Sequence, residues 1–157
     1  MTREDDNAIG NTKASDMANR RKIIESANVD AVISIHQNIC ADRSVAGPIV
    51  FYMDNSERGE QFAKSIQTTL NEELQPRSPR RPKEDTFFIL RSGKIPCVIV
   101  ECGFLSNAWE EEMLQSAKYQ KKIARAISWG ALDFFNLPEH APPVPIPPNW
   151  TMSDEDE

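Results

Sequence analysis

Two chemically capable side chains stand where the most apolar β-type runs of this chain give out. His36 closes Ala31-Val32-Ile33-Ser34-Ile35, and Glu101 closes Ile95-Pro96-Cys97-Val98-Ile99-Val100. A buried strand fixes the backbone at its end while one side stays open to ligands. A metal-binding imidazole and a general-base carboxylate are wanted at such positions. Each residue also has a plainer reading, His36 as a hydrogen-bonded edge residue and Glu101 as a solvated carboxylate, and spacing alone leaves both open.

The elements around them predict an α/β fold. A helix is expected over about residues 14–28, capped by Ser15 or Asp16, with Met17, Ile23, Ile24 and Ala27 inward. Strands follow over residues 31–36 and 48–53. A helix begun by Asn55 or Ser56 carries Phe62, Ile66, Leu70 and Leu74 at four-residue spacing and stops before Pro76. The basic, proline-rich stretch 76–85 reads as a loop, and residues 86–90 resume strand character. Pro96 fits only the start of a central strand. Asn107, with Glu110 three positions on, reads as a capping box for a short acidic helix. The last helix covers about residues 118–135. Helices between strands favour crossovers, hence a three-layer arrangement: a mostly parallel sheet with helices on both faces and the site beyond the strand carboxyl ends.

The 157 residues suit one domain, expected over 1–136, followed by a proline-rich acidic tail over 137–157. Asp154, Glu155, Asp156 and Glu157 account for most of the net charge of -6. The remainder is nearly neutral, which argues against nucleic acid as a partner. No run approaches the ~20 apolar residues of a membrane span, and no signal-peptide pattern follows Met1. Cys40, Cys97 and Cys102 are odd in number and lack CxxC spacing. Cys97 and Cys102 on one strand would lie ~16 Å apart, beyond disulfide reach, so packing is their expected role.

The residues around the two candidates are more specific. Ser34-Ile35-His36-Gln37-Asn38 resembles the SIHxN motif of the zinc-dependent N-acetylmuramoyl-L-alanine amidases (amidase type 3), and Val100-Glu101-Cys102-Gly103-Phe104-Leu105-Ser106-Asn107 resembles their VExGFLSN motif. Thr2-Arg3 with Asp6 is similar to the TRxxD segment of the family. Gly47 to Tyr52 is similar to its glycine-initiated strand, and Arg80-Arg81-Pro82-Lys83 to its R-x-x-K loop. Ile95-Pro96 and the helix after Tyr119-Gln120 look most like the sporulation and germination branch.

The resemblance implies a phosphorylase/hydrolase-like sheet and cleavage of the amide between N-acetylmuramic acid and L-alanine in peptidoglycan, with zinc as cofactor. His36 matches a zinc-ligand histidine. Glu101 matches the catalytic glutamate that assists the attacking water without ligating the metal. Asn38, Arg80 and Lys83 become the substrate-side candidates: Asn38 holding the His36 loop or simply forming a turn, Arg80 and Lys83 meeting carboxylates or glycan oxygens or simply lining a solvated loop. Gly103 is expected to permit a sharp turn over Phe104 and Leu105, and Cys102 to face away from Glu101. His140, among prolines, is a poor candidate.

The chain also departs from the family pattern. The first strand, a histidine-bearing loop and a helix with a glutamate ligand precede TRxxD in the family, so two of three zinc ligands find no counterpart here. Asp5, Asp6 and Glu25 do not replace them. An upstream segment, an accessory protein supplying the missing elements, or a degenerate chain are the alternatives. The competing function is a non-catalytic peptidoglycan-binding or regulatory module. Peptidoglycan as partner implies an extracytoplasmic location.

Overall fold

The computed structural model describes residues 1–2, 5, 7–91 and 95–137. Arg3 and Asp6 of the TRxxD-like segment, His140 and nearly all of the proline-rich tail lie outside the described residues.

Four strands, β1 (Val32–Asn38), β2 (Ile49–Met53), β3 (Lys83–Asp85) and β4 (Cys97–Phe104), form one sheet in the order β1-β4-β2-β3. The pairs β1/β4 and β2/β3 are parallel, and β2/β4 is antiparallel. Two of three pairings are thus parallel, and the sheet is mixed. The reversal arises because β1 and β2 are joined by a loop without a helix, whereas α2 (Glu57–Leu74) makes the crossover from β2 to β3.

Strand alternation on β4 divides the interior into two cores. Val98, Val100 and Cys102 pack with Phe62, Ile66 and Leu70 of α2 and with Ile123 and Ile127 of α4 (Ala117–Phe134). Cys97 and Ile99 face the other way, with Ile49, Phe51 and Ile24 of α1 (Lys13–Ser26). Helices therefore cover both faces, as expected. Val50, Val98 and Val100 are fully buried, and each such side chain contributes roughly 1.5–3 kcal/mol. The crossing of α2 and α4 is close: a Cβ on Gly130 would stand 2.5 Å from the Ile66 Cα. Thr69 Oγ1 donates across that contact to the Ala126 carbonyl at 2.7 Å.

Local chemistry sets the element ends. Ser56 caps α2 by accepting from the Gly59 amide, and Gln75 closes it in the left-handed region at φ 46 before Pro76. Gln67, a polar residue in the inward stripe, accepts from the Val50 amide at 2.9 Å and donates to the Pro48 carbonyl at 3.1 Å, which ties α2 to β2. Asn107 caps α3 (Ala108–Gln115) as expected.

Three expectations are corrected. The cap of α1 is Thr12, in a capping box with Ser15, because Ser15 and Asp16 already lie within the first helical turn. Of its four expected inward residues, Ile24 is buried and Met17 partly so, whereas Ile23 and Ala27 are exposed. The strand expected at 86–90 is a 3-10 turn, Phe88–Arg91, and strand β3 lies earlier, within the expected loop. Ile89 and Leu90 are both buried within it. The Arg91 guanidinium clamps the turn by donating to the Thr86 carbonyl at 3.1 and 2.8 Å.

Candidate active site

His36 and Glu101 are register partners on the adjacent parallel strands β1 and β4, so their Cα atoms are about 5 Å apart and their side chains leave the sheet on the same face. That face carries α1. Cys102 turns into the opposite core, 4% exposed, as alternation requires.

Neither residue ends its strand: β1 runs on to Asn38 and β4 to Phe104. Between the pairs His36/Glu101 and Asn38/Phe104, β1 advances by two residues and β4 by three, a β-bulge on β4. The extra residue resets alternation, so Phe104 joins the same core face as Ile99 and Glu101. Gly103 lies in this bulge. Its positive-φ freedom is not what the site uses; a Cβ there would meet the Glu110 carboxyl and Leu114 at 3.3 Å. Phe104 is buried as expected, whereas Leu105 is 39% exposed.

Electrostatically the pair is biased toward its neutral forms. Loss of water around the His36 ring, and then the Arg20 guanidinium, hold its pKa below the ordinary 6.5. Its Nε2 lies 2.8 Å from Ser34 Oγ. Burial raises the pKa of Glu101 above the ordinary 4.5. Its Oε2 is buried without a hydrogen-bond partner among the described residues, an arrangement costly enough to call for a function.

The other expected residues are placed less centrally. The Asn38 carbonyl accepts from the Leu105 amide at 2.8 Å, and its Oδ1 from the Ile39 amide at 2.7 Å. Asn38 therefore shapes the loop leaving the site. Arg80 Nε donates to the Ala46 carbonyl at 2.8 Å, and its guanidinium lies 5.1 Å from the Phe104 ring centroid. Lys83 is exposed on β3, two strands away from Glu101. Arg20 and Ser34 were missed as electrostatic and hydrogen-bonding neighbours of His36. The one available signal for Arg20 was its i,i+4 spacing from Asp16, to which its Nε is bonded at 2.7 Å.

Glu110 has a role beyond the capping box. Asn107 Oδ1 accepts from the Glu110 amide, but the Glu110 carboxylate turns inward, accepting from the Gly47 amide through Oε1 and the Phe104 amide through Oε2, each at 2.8 Å. It is 2% exposed. It thereby pins the start of β2 to the bulged end of β4.

A zinc site takes at least three protein ligands, and among the described residues no group of three or more His, Cys, Asp and Glu side chains is placed to hold a metal. His36 with the unpartnered Glu101 oxygen is a fragment of such a site. Beside it, β1 is one of the two edge strands of the sheet, without a strand partner on its outer side among the described residues. A groove of about 650 Å³ is lined by β1 and α1, with His36, Ser34 and Arg20 among its polar residues. Ile23, Val29 and Ile35, at 38%, 42% and 62% exposure, give this side an apolar strip.

The family description "N-acetylmuramoyl-L-alanine amidase" matches residues 1–132. A germination-specific N-acetylmuramoyl-L-alanine amidase of Bacillus subtilis is 31% identical over 143 residues, 86% of this chain and 60% of that protein. The chain thus spans under two thirds of the length of this curated relative. The solved structure of the CwlD amidase from Clostridioides difficile, in complex with the GerS lipoprotein, superposes with a TM-score of 0.82 at 30% identity, covering 86% of this chain and 74% of that one. An N-acetylmuramoyl-L-alanine amidase from Clostridium difficile 630 gives a TM-score of 0.72 at 27% identity, covering 76% and 65%. With SIHxN- and VExGFLSN-like segments carrying the paired His36 and Glu101, the chain belongs to the N-acetylmuramoyl-L-alanine amidase family.

Proposed function

We propose that this chain carries the Glu101 side of a peptidoglycan amidase site that hydrolyses the bond between N-acetylmuramic acid and L-alanine. The observation that carries this reading is the His36–Glu101 register pair, with a buried, unpartnered carboxylate oxygen aimed to the face that bears the groove. A carboxylate whose pKa is raised by burial is suited to take a proton from an attacking water and return it to the leaving amine of L-alanine. His36, held neutral and oriented by Ser34, presents an imidazole beside it.

Zinc dependence is part of this reading, with His36 as one ligand. The remaining donors would come from polypeptide outside the described residues, seated along the open edge of β1, either an upstream segment or an accessory protein. The apolar strip and the bare edge of β1 support that position. The chain by itself is accordingly expected to hydrolyse peptidoglycan slowly. Action on peptidoglycan places it outside the cytoplasmic membrane, and among the described residues no helix is long and apolar enough to cross one. The similarity to a germination-specific relative favours a spore-wall substrate.

A second reading, a non-catalytic peptidoglycan-binding or regulatory module, is favoured by the shortfall of metal donors among the described residues. Mass spectrometry of muropeptides after incubation with the chain and zinc separates the two. Free stem peptides beginning with L-alanine support hydrolysis, whereas binding with intact muropeptides supports the module.

A further inference from the structure

The side of the sheet turned away from Glu101 carries a surface of a different kind. There Val98, Val100 and Cys102 pack under α2 and α4. A cleft of about 520 Å³ opens between the end of α2 and the start of α4, lined by Leu74, Arg77, Trp109, Met113, Lys118 and Lys122. Leu74 and Met113 are partly buried against the core on that side and form the apolar floor. Trp109 is 56% exposed, a large aromatic surface left open to solvent.

The charges around this cleft are unmatched. No carboxylate lines it, and none of Arg77, Lys118 and Lys122 forms an ion pair among the described residues. Three cations gathered around an indole and a thioether repel one another until carboxylates settle between them. The matching ligand is an acidic peptide with large apolar side chains beside its charges. The chain holds one: Trp150-Thr151-Met152-Ser153-Asp154-Glu155-Asp156-Glu157 sets two such side chains next to four carboxylates.

Reach permits the match. The cleft lies at the start of α4, and the chain leaves that helix at its other end. From Lys118 to Phe134 the helix is about 24 Å long at 1.5 Å per residue. The proline-rich run from Leu137 to Asp154 spans up to about 50 Å at ~3.1 Å per residue, twice the distance. A tether of this length holds its end near the cleft at an effective concentration of roughly 1 mM. We propose that the Arg77–Lys118–Lys122 cleft is the docking surface for the chain's own acidic segment, residues 150–157. Trp150 and Met152 meet the Trp109 and Met113 side chains, and the carboxylates meet the three cations. Docking there covers the seam between α2, α3 and α4 and leaves the His36–Glu101 face open, so it stands independently of the amidase reading.

Carbodiimide coupling of the full chain, which joins a lysine amine to a carboxylate in contact with it, tests the placement by peptide mapping of the monomer. Residues 154–157 are expected to link to Lys118 or Lys122 about tenfold more often than to Lys13 or Lys22, which are exposed on α1 across the sheet. Even linkage to all four lysines, or linkage in covalent dimers alone, overturns the proposal. A second measurement titrates a peptide copying residues 149–157 into the unsubstituted chain and into one carrying Asp154→Asn, Glu155→Gln, Asp156→Asn and Glu157→Gln. These four positions lie outside the described residues. A peptide with a Kd of ~0.1 mM for the neutralised chain is expected to bind the unsubstituted one about tenfold more weakly, because the tethered segment competes at roughly 1 mM. Lys118→Glu in the neutralised chain should abolish the binding, with circular dichroism checking its fold. Equal affinity for the two chains, or binding to neither, overturns the docking. Equal binding of polyglycerol phosphate to both chains overturns it as well, since the cleft is then open to an outside polyanion.

Discussion

His36 and Glu101 face each other across β1 and β4 in parallel register, and the environment disfavours the charged form of both. For Glu101 the sign is clear. Its folded-state pKa is raised, so the fold binds its proton more tightly than the unfolded chain does. This contribution to stability is present in acid and is lost as pH rises from the ordinary 4.5 through the raised value. Glu101→Gln should therefore melt higher than the unsubstituted chain at pH 7–8. The difference should vanish below about pH 4. Calorimetric melts across that range check it, and equal melting points at neutral pH would contradict it.

Glu110 should matter to stability more than its surface-helix sequence context suggests. Glu110→Ala would strip two buried backbone amides, those of Gly47 and Phe104, of their acceptor. A loss of about 3 kcal/mol is expected, measured by urea unfolding. A loss below about 1 kcal/mol would mean that water replaces the carboxylate.

The unpaired edge of β1 should make the chain self-associate. Ile35 is 62% exposed on that edge, and flat apolar edges template strand pairing. Ile35→Lys is expected to reduce concentration-dependent association in sedimentation velocity while leaving the melting point within about 1 kcal/mol equivalent. Identical association of both proteins would show that the edge is not the contact.

Thiol reactivity should separate the three cysteines. Burial pushes Cys97 and Cys102 each up to about 12, so at pH 8 both remain thiols. Cys40, half-buried in the loop after β1, should be alkylated first. Peptide mapping after brief alkylation checks this; labelling of Cys97 or Cys102 in the native protein would contradict it.

Strands β1, β2 and β4, the helices on both faces and the placement of His36 and Glu101 on two of those strands were legible because they follow from apolar runs, helical spacing and two motif-like segments. What was hidden depends on contacts distant in sequence. The β4 bulge follows from how Asn38 meets Phe104, and its one signal in the run is Gly103, which also fits a turn. Glu110 reads locally as a cap partner, but its acceptors are needed 63 residues away at Gly47. Thr86 to Leu90 has strand composition, yet the chain turns at Phe88–Arg91, where the Arg91 guanidinium holds the Thr86 carbonyl, a contact that local composition does not show. The exposure of Ile23 and Ala27 follows from the open edge beside them, where helical periodicity assumes a covered face.

The central claim is that His36 and Glu101 act on one amide bond as a unit. The direct measurement is the rate at which the chain, with zinc supplied, releases L-alanine-terminated peptide from a defined muropeptide, compared among His36→Ala, Glu101→Gln and the double variant. The account predicts a slow rate for the chain that falls about 10²–10⁴-fold in Glu101→Gln, with the double variant no slower than the worse single one. Multiplying losses in the double variant, or release unaffected by either substitution, would contradict it.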